Sequence, residues 1–194
     1  MNSYLSSKGL TQPINRYGLR QSKGPFKGYE PFQPDNISLL VPVLDVAGKI
    51  WSLQFISPDG EKRFFPGGKL RGHFFPIGLI DNSSKILITE GIATALTLHE
   101  DTQQTVIVAF NCGNLATVAE QVRWKYPDAE ILICGDNDHA TEGNPGRTKA
   151  IEAAARCGGD WVVPDFTGLN AGPNDTDFND LYRLKEQLLQ GGEK

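Results

Sequence analysis

Two short apolar runs that each lead into acidic residues constrain the fold of this chain more than any other feature. The first run, Lys85–Thr89, is followed by Glu90, and the second run, Glu130–Cys134, is followed by the pair Asp136 and Asp138. Short β-branched runs between helical segments are typical of buried parallel strands. Ligands of such sheets bind beyond the carboxyl ends of the strands, so we expect the three acids to face one crevice.

Three carboxylates in one crevice repel one another unless a cation joins them. Oxygen ligands without a neighbouring Cys or His cluster suit Mg²⁺ or Mn²⁺. The sequence therefore predicts a hard-metal phosphate site formed by Glu90, Asp136 and Asp138. Each acid also has a structural interpretation, because loop aspartates often form turns and a glutamate in the first turn of a helix is favoured by the helix dipole. Asp177 is predicted either to cap the last helix or to complete the metal site.

The composition is that of a globular protein without a membrane span. Hydrophobic residues make up 39% and charged residues 22% of the 194 residues, and no run approaches the roughly 18 apolar residues that a transmembrane helix needs. The three cysteines, Cys112, Cys134 and Cys157, are too scattered for a disulfide framework or a zinc ribbon. We expect reduced thiols in a cytoplasmic protein.

Charge is distributed unevenly along the chain. Residues 1–80 carry ten Lys or Arg against five Asp or Glu, a net charge of +5, whereas residues 81–194 carry nine against eighteen, a net charge of −9. This asymmetry suits a protein that touches a polyanion with one part and holds metal with another. The alternative is that the charges only solvate two surfaces.

Three regions are predicted from these patterns. Residues 1–34 form a basic N-terminal arm, and residues 35–80 form a small antiparallel β-rich subdomain that includes a short strand over His73–Ile77. Residues 81–194 alternate strands and helices, which predicts an α/β domain with a parallel sheet flanked by helices. In that domain Asn114 is predicted to cap a helix.

Two further sets of residues are candidates for binding nucleic acid or nucleotide. Basic residues of the β-rich subdomain lie among phenylalanines and are predicted to follow a nucleic-acid strand, or alternatively to protect a solvated sheet edge. They are Lys62, Arg63, Lys69 and Arg71. In the α/β domain, Asn111 ends a strand, and Arg147 and Lys149 lie in a helix that opens at Asn144-Pro145, where a phosphate can bind.

The order of these segments resembles the TOPRIM domain, and most closely that of plasmid- and phage-type DNA primases. The resemblance rests on the two acidic strand ends, on the β-rich segment Leu39–Gly60 that precedes them, and on Asn144-Pro-Gly and Asp177-Phe-Asn-Asp180 that follow. It covers roughly residues 35–185. It implies a Rossmann-like parallel sheet flanked by helices.

The resemblance also implies a function: ribonucleotides are polymerised on a single-stranded DNA template to make a short RNA primer. Glu90 would match the catalytic glutamate, Asp136 and Asp138 the catalytic metal ligands, and Asp177 a further acid that binds Mg²⁺ or Mn²⁺. The basic residues would hold template or ribonucleoside triphosphate. Zinc-binding and helicase partners are expected because such primases usually carry a zinc-binding domain and many also carry a helicase, whereas this sequence has neither a Cys/His cluster nor a P-loop.

Two other functions remain open from the sequence. The chain can be a TOPRIM nuclease, or a non-catalytic module that binds DNA or assembles a replication protein. A topoisomerase is disfavoured, because it needs a nucleophilic tyrosine and none of the five tyrosines lies in a supporting motif.

Overall fold

A computed structural model describes residues 2–23, 37–79 and 85–191 of the chain. The chain divides into two compact units, Met1–Phe75 and Pro76–Lys194. No helix within the described ranges is long and apolar enough to cross a membrane.

The first unit contains a four-stranded sheet in which all pairings are antiparallel and the strands follow chain order. The strands are β1 (Arg20–Lys23), β2 (Ile37–Leu44), β3 (Ile50–Ile56) and β4 (Lys62–Phe64). A tight turn at Ser57–Gly60 joins β3 to β4, with the Gly60 N–H donating to Ser57 O over 3.0 Å. Gly60 adopts the positive φ that this turn requires.

The described N-terminal residues belong to the first unit. Besides β1, they form α1 (Ser3–Ser7) and a short 3₁₀ helix, Ile14–Tyr17. The side chains of Leu5 and Leu19 are fully buried, so this basic stretch also contributes apolar residues to the core. Residues 24–34 of the predicted arm lie outside the described residues, and the predicted domain limits stay predictions.

The second unit contains a five-stranded sheet flanked by four helices. The strands, in the spatial order β5-β7-β6-β8-β9, are β5 (Phe75–Ile77), β7 (Thr105–Val108), β6 (Lys85–Thr89), β8 (Glu130–Cys134) and β9 (Asp160–Val162). The helices are α2 (Ile92–Thr102), α3 (Cys112–Lys125), α4 (Pro145–Cys157) and α5 (Phe178–Gly191). Strand β6 pairs in parallel with β7 and β8, and β8 pairs in parallel with β9. The predicted parallel α/β fold is confirmed.

One predicted strand is found in a different sheet. The strand expected over His73–Ile77 is shorter and forms the edge of the five-stranded sheet as β5. Among the described residues, this segment pairs with the antiparallel sheet through one isolated bridge, between Phe74 and Leu44. Ile77 is buried and Pro76 and Ile77 belong to the second unit, so the end of this segment is committed to the five-stranded sheet, where β5 neighbours β7.

The order of the parallel strands creates a switch point. The chain passes from β6 to β7 on one side and then returns to β8 on the other side of β6. At such a reversal the connections leave the sheet in opposite directions, and a crevice opens at the carboxyl ends of the two strands. In this chain that crevice lies between the ends of β6 and β8.

Candidate functional site

The predicted acids leave neighbouring strands at this switch point. Thr89, the last residue of β6, pairs with Cys134, the last residue of β8. Glu90 therefore follows one strand beside the segment that carries Asp136 and Asp138 after the other. All three side chains are half-buried, so their carboxylates are partly withdrawn from water.

The thiol of Cys112 lies near both acidic segments. Cys112 is the first residue of α3, which follows β7 on the other side of β6. Its pKa is raised above the ordinary value, first because burial disfavours the thiolate and then because of the negative charge of Glu90, with a smaller effect of Asp138. The negative charges that follow β6 and β8 therefore both disfavour the thiolate of Cys112.

Asp138 is bound to the beginning of α4. Its Oδ2 accepts a hydrogen bond from the Gly146 N–H over 2.8 Å, and its own N–H donates to Asn144 Oδ1 over 2.9 Å. Asn144 Oδ1 also accepts from the Arg147 N–H over 3.2 Å, as a helix cap does. The predicted helix start at Asn144-Pro145 is confirmed, and the carboxylate of Asp138 lies at the positive end of the helix dipole.

Glycine permits this close approach of loop and helix. A Cβ atom at Gly146 would lie 2.5 Å from Asp136 O and 2.9 Å from Asp138 Oδ2. A Cβ atom at Gly135 would lie 2.6 Å from the Cβ of Ala150 in α4. The Asp136–Asp138 loop thus rests directly on the backbone of α4, in a space that any larger residue would fill.

Asn137 ties the acidic loop to the chain that follows β9. Its N–H donates to Thr176 O over 2.8 Å, and its Nδ2 donates to Pro164 O over 2.9 Å. Its Oδ1 accepts from Asn144 Nδ2 over 2.8 Å. Asn137 was not among the residues predicted from the sequence, although an amide between two acids can anchor a loop by giving and accepting hydrogen bonds at once.

Asp177 caps α5 in this structure. Its Oδ1 accepts from the Asp180 N–H over 2.9 Å, and Asp180 Oδ2 accepts in return from the Asp177 N–H over 3.3 Å. This reciprocal pair is a capping box with Asp in place of Glu. The other oxygen of Asp177 accepts from Thr94 Oγ1 over 3.0 Å. The capping role is confirmed, and the metal-ligand role stays a prediction.

The cap of α3 is Asn111, and the prediction that Asn114 caps this helix is wrong. The backbone of Asn111 is extended, and its Oδ1 accepts from the Asn114 N–H over 3.0 Å. Asn114 instead lies buried in the first turn, where its Nδ2 donates to Ala109 O over 2.9 Å. Helix α3 therefore begins at Cys112, shortly after β7 ends at Val108 and three residues earlier than a cap at Asn114 implies.

The carboxylates do not form a ready-made metal cage. Within the described ranges, no three His, Cys, Asp or Glu side chains lie close enough together to hold a metal ion. The donor set nevertheless suits a hard cation, because it consists of carboxylates from two adjacent strand ends. Mg²⁺ in particular often binds through one or two carboxylates, keeps several waters and takes further oxygen ligands from a phosphate.

The predicted basic residues fall into two groups by location. In the first unit, Lys62, Lys69 and Arg71 are exposed, and Arg63 forms a 2.7 Å salt bridge with Glu61. In the second unit, α4 carries the other two predicted cations. They are Arg147, whose guanidinium lies 5.4 Å from the centroid of the Trp161 ring, and Lys149, which forms a 2.8 Å salt bridge with Glu152.

Comparison with known proteins relates this arrangement to a family. Residues 85–187 match the Toprim domain. The chain is 41% identical over 143 residues to the DNA primase TraC of Escherichia coli, an alignment that covers 70% of this chain and 14% of that protein. This chain therefore corresponds to a small part of that relative.

Solved structures share the fold. The primase fragment of the bacteriophage T7 primase-helicase protein aligns with a TM-score of 0.66 and 17% identity, over 98% of this chain and 74% of that chain. The DnaG primase catalytic domain bound to ssDNA aligns with a TM-score of 0.58 and 15% identity, over 97% of this chain and 71% of that chain. The resemblance inferred from the sequence is confirmed. Because the match covers more than half of the chain and includes both acidic strand ends, this protein belongs to the Toprim domain family.

Proposed function

We propose that this chain is the catalytic region of a DNA primase of the plasmid and phage type. It joins ribonucleotides into short RNA primers on a single-stranded DNA template. The observation that carries the proposal is the position of Glu90 beside Asp136 and Asp138 at the switch point of a Toprim domain. The similarity to a DNA primase over 70% of the chain supports the same activity.

The three acids have different tasks in the proposed reaction. Glu90, which follows the central strand of the sheet, accepts the proton of the attacking 3′-hydroxyl of the primer. Asp136 and Asp138 bring negative charge to the opposite side of the crevice, where Asp138 is held against α4. Asn137 and Asn144 keep that loop in place, so the acids do not have to be ordered at the moment of reaction.

A divalent cation is part of the proposal. We assign Glu90, Asp136 and Asp138 as the residues that would hold Mg²⁺ or Mn²⁺, and Asp177 as a further acid on the same side of the domain. The bound ion would supply positive charge for the triphosphate and for the departing pyrophosphate. Asp177 would have to exchange its hydrogen bonds with Thr94 and Asp180 for a direct contact, whereas a ligand water would leave them intact.

Phosphate groups are assigned to the basic residues and to polar groups near the acidic loop. Lys62, Arg63, Lys69 and Arg71 hold the template strand by contacts that weaken with salt. On the second unit, Asn111, Arg147 and Lys149 are candidates for the ribonucleoside triphosphate. Lys149 and Arg63 would exchange their intramolecular carboxylate partners for phosphate. Zinc-binding and helicase domains or proteins remain proposed partners, and the cytoplasm is the proposed location.

The proposal is tested by incorporation of labelled ribonucleotides on single-stranded DNA with Mg²⁺ or Mn²⁺. Asp136→Asn removes one negative charge and is expected to reduce product by at least about 100-fold, because charge stabilisation in the reaction is lost. The matched control is Glu142→Gln, which removes one charge from an exposed residue of the nearby 139–144 segment and should leave product within twofold. Asp136→Asn is preferred to a change at Asp138, since Asp138 also caps α4.

Each outcome of this assay has a separate meaning. Short RNA that Asp136→Asn abolishes and Glu142→Gln retains supports the primase assignment. Labelled DNA that is cut with Mn²⁺, without templated product, would replace it with a nuclease. If the unchanged chain binds DNA but neither cuts nor copies it, a non-catalytic module is the correct description and the proposal is wrong.

A further inference from the structure

The indole of Trp51 is fixed on the antiparallel sheet by its polar edge. Its Nε1–H donates to Asp45 Oδ2 over 2.8 Å. The other oxygen of Asp45 accepts from the N–H groups of Ala47 and Lys49, over 2.9 and 3.0 Å. Because Asp45 is held by the β2–β3 turn, the indole has one orientation, and its ring is half-buried.

Two lysines place their charges over this ring. The Nζ atom of Lys49 lies 4.4 Å and that of Lys69 lies 4.5 Å from the centroid of the Trp51 ring, both within cation–π distance. Both lysines are exposed, and among the described residues no carboxylate forms a salt bridge with either. The ring of His73 lies 5.4 Å from that of Trp51. Aromatic surface and two lysine ammonium groups therefore coincide at one place.

The backbone places both lysines beside the ring. The N–H of Lys69 donates to Trp51 O over 3.3 Å, so the chain after β4 lies beside the beginning of β3. Gly68 permits this approach, because a Cβ atom there would overlap the side chain of Ser52. Lys49 lies in the turn directly before β3, where its N–H donates to Asp45 Oδ1 and its carbonyl oxygen accepts from the Asp45 N–H, each over 3.0 Å. Backbone hydrogen bonds to Asp45 and Trp51 therefore fix the main chain of both lysines beside the ring.

Phosphate and base occur together at this spacing in a nucleic-acid strand. A lysine on an aromatic ring is held only weakly in water, by about 0.5–1 kcal/mol at an exposed site. A phosphate can therefore draw the ammonium away, and a base can then occupy the ring face. Single-stranded nucleic acid presents both groups repeatedly, and proteins bind it through basic grooves with aromatic side chains on which bases stack. A duplex keeps its bases stacked within itself and offers mainly phosphates.

We propose that Trp51, with Lys49 and Lys69, is a stacking site for one base of a single-stranded DNA. The inference rests on the proposed function only in taking DNA as the strand, and the site lies entirely within the first unit. Trp51 holds the base, the two lysines contact its flanking phosphates, and Asp45 keeps the indole in orientation. None of these four residues is among the acids assigned to the reaction.

The test is binding of a labelled oligodeoxythymidine to the full chain, monitored by fluorescence anisotropy without metal or nucleotide. Trp51→Ala is expected to weaken binding about 5- to 100-fold, the range found when one stacked base loses its aromatic partner. Trp51→Phe should retain affinity to within about threefold. The matched control is Trp124→Ala, which removes a tryptophan that is 75% exposed in the other unit and should change nothing.

A strand with abasic sites separates stacking from loss of structure. It should bind the unchanged chain more weakly than the intact strand, and Trp51→Ala should remove that difference. Lys49→Ala with Lys69→Ala, which leaves the indole in place, should lower the salt slope of log K by about 0.7 for each phosphate that is no longer neutralised. Equal weakening of intact and abasic strands by Trp51→Ala would overturn the proposal, as would unchanged affinity in both sets of variants.

A free nucleotide also offers a base together with phosphate and is the alternative ligand for this site. Ribonucleoside triphosphate that competes for the unchanged chain, with Trp51→Ala reducing nucleotide affinity but not DNA affinity, would overturn the assignment to a DNA strand. Because no catalysis is measured, failure of primer synthesis leaves this result standing. Conversely, a chain that makes primers with Trp51→Ala unchanged in DNA binding would refute the stacking site alone.

Discussion

The acidic loop of the second unit, Asp136–Asp138, and the lysines beside Trp51 in the first unit, Lys49 and Lys69, place their charges in contrasting ways. Both use glycine to bring a loop onto neighbouring structure: Gly146 beneath Asp136 and Asp138, and Gly68 beside Ser52. The acidic loop is then fixed by hydrogen bonds from side-chain amides and from the N-terminus of α4. Within the described part of the chain, the lysines beside Trp51 are held at their backbone and by contact with the indole ring.

This difference follows from the charges at each place and from how each is proposed to meet its ligand. Neighbouring carboxylates repel one another and would move apart unless hydrogen bonds hold their backbone in place. A lysine that exchanges an aromatic ring for a phosphate must instead leave the ring at a small cost in free energy, and a weak cation–π contact allows this. The acidic site is therefore organised before its ligand arrives, whereas the basic surface reorganises around it. Changes to the supports of the acidic loop should accordingly cost more stability than changes on the basic side.

The largest expected effect is that of a methyl group between the acidic loop and α4. Gly146→Ala should destabilise the protein by about 2–3 kcal/mol, because overpacking against Asp136 O forces the backbone to shift. Its matched control is Gly113→Ala, at the same second position of α3, where the nearest atom is a side-chain oxygen 3.3 Å away. The control should be neutral to within about 0.5 kcal/mol or slightly stabilising, since Ala favours a helix. Urea unfolding measures both, and equal effects would refute close packing of the loop.

The second largest effect is a difference in stability between replacement of the two asparagine caps, Asn144 of α4 and Asn111 of α3. Asn144→Gly keeps the left-handed backbone of Asn144 but removes its bonds to Asp138 and Asn137, and should cost about 1–2 kcal/mol. Asn111→Gly removes a cap that serves only its own helix and should cost a few tenths, about 0.3 kcal/mol. Thermal unfolding of the two variants side by side measures the difference. If Asn111→Gly is the more destabilising, Asn144 does not support the acidic loop.

Much of the α/β unit could be predicted from the sequence because its signals are local. The continuous apolar run of β6, buried on both faces, and the Asn144-Pro145 start of α4 each depend on a few neighbouring residues. The pairing of β5 was misassigned because a three-residue strand carries too little pattern to indicate which sheet it joins.

The supports of the site depend on contacts across the chain. Asn137 meets Pro164, 27 residues later, and Thr94 meets Asp177, 83 residues later. Such pairs leave no periodicity in the sequence, since each needs only one polar residue at the right place in space. For the same reason the sequence indicated Lys69 as basic but did not indicate that it lies on Trp51.

On the basic side, pH should affect the orientation of Trp51. The pKa of Asp45 is lowered, chiefly by the hydrogen bond from Trp51 and then by the Lys49 N–H. A carboxyl whose folded pKa is depressed contributes stability above its ordinary pKa of about 3.9, and this contribution is lost as the pH falls through the folded value. The stability gap between the unchanged chain and Asp45→Asn should therefore be constant above about pH 5 and shrink below about pH 4. Urea unfolding from pH 3 to 6 measures it, with the exposed Asp128→Asn as control; a gap that widens in acid would contradict the hydrogen bond.

The smallest expected effect is that of the Glu90 charge on the reactivity of the neighbouring Cys112 thiol. Since burial and then Glu90 raise the pKa of the Cys112 thiol, Glu90→Gln should lower that pKa and increase alkylation of Cys112 by iodoacetamide at pH 8 by about two- to threefold. Peptide mass spectrometry separates Cys112 from Cys134, whose pKa burial raises to about 12. The matched control is Glu130→Gln at the amino end of β8. This residue lies away from the carboxyl ends of the strands, where the acids and Cys112 are found, and its replacement should leave the alkylation rate of Cys112 unchanged. An unchanged alkylation rate in Glu90→Gln would mean that the Glu90 carboxylate does not act on the Cys112 thiol at the beginning of α3. Glu90 would then not face the crevice, and the proposed chemistry, which needs Glu90 close to Asp136 and Asp138, would be contradicted.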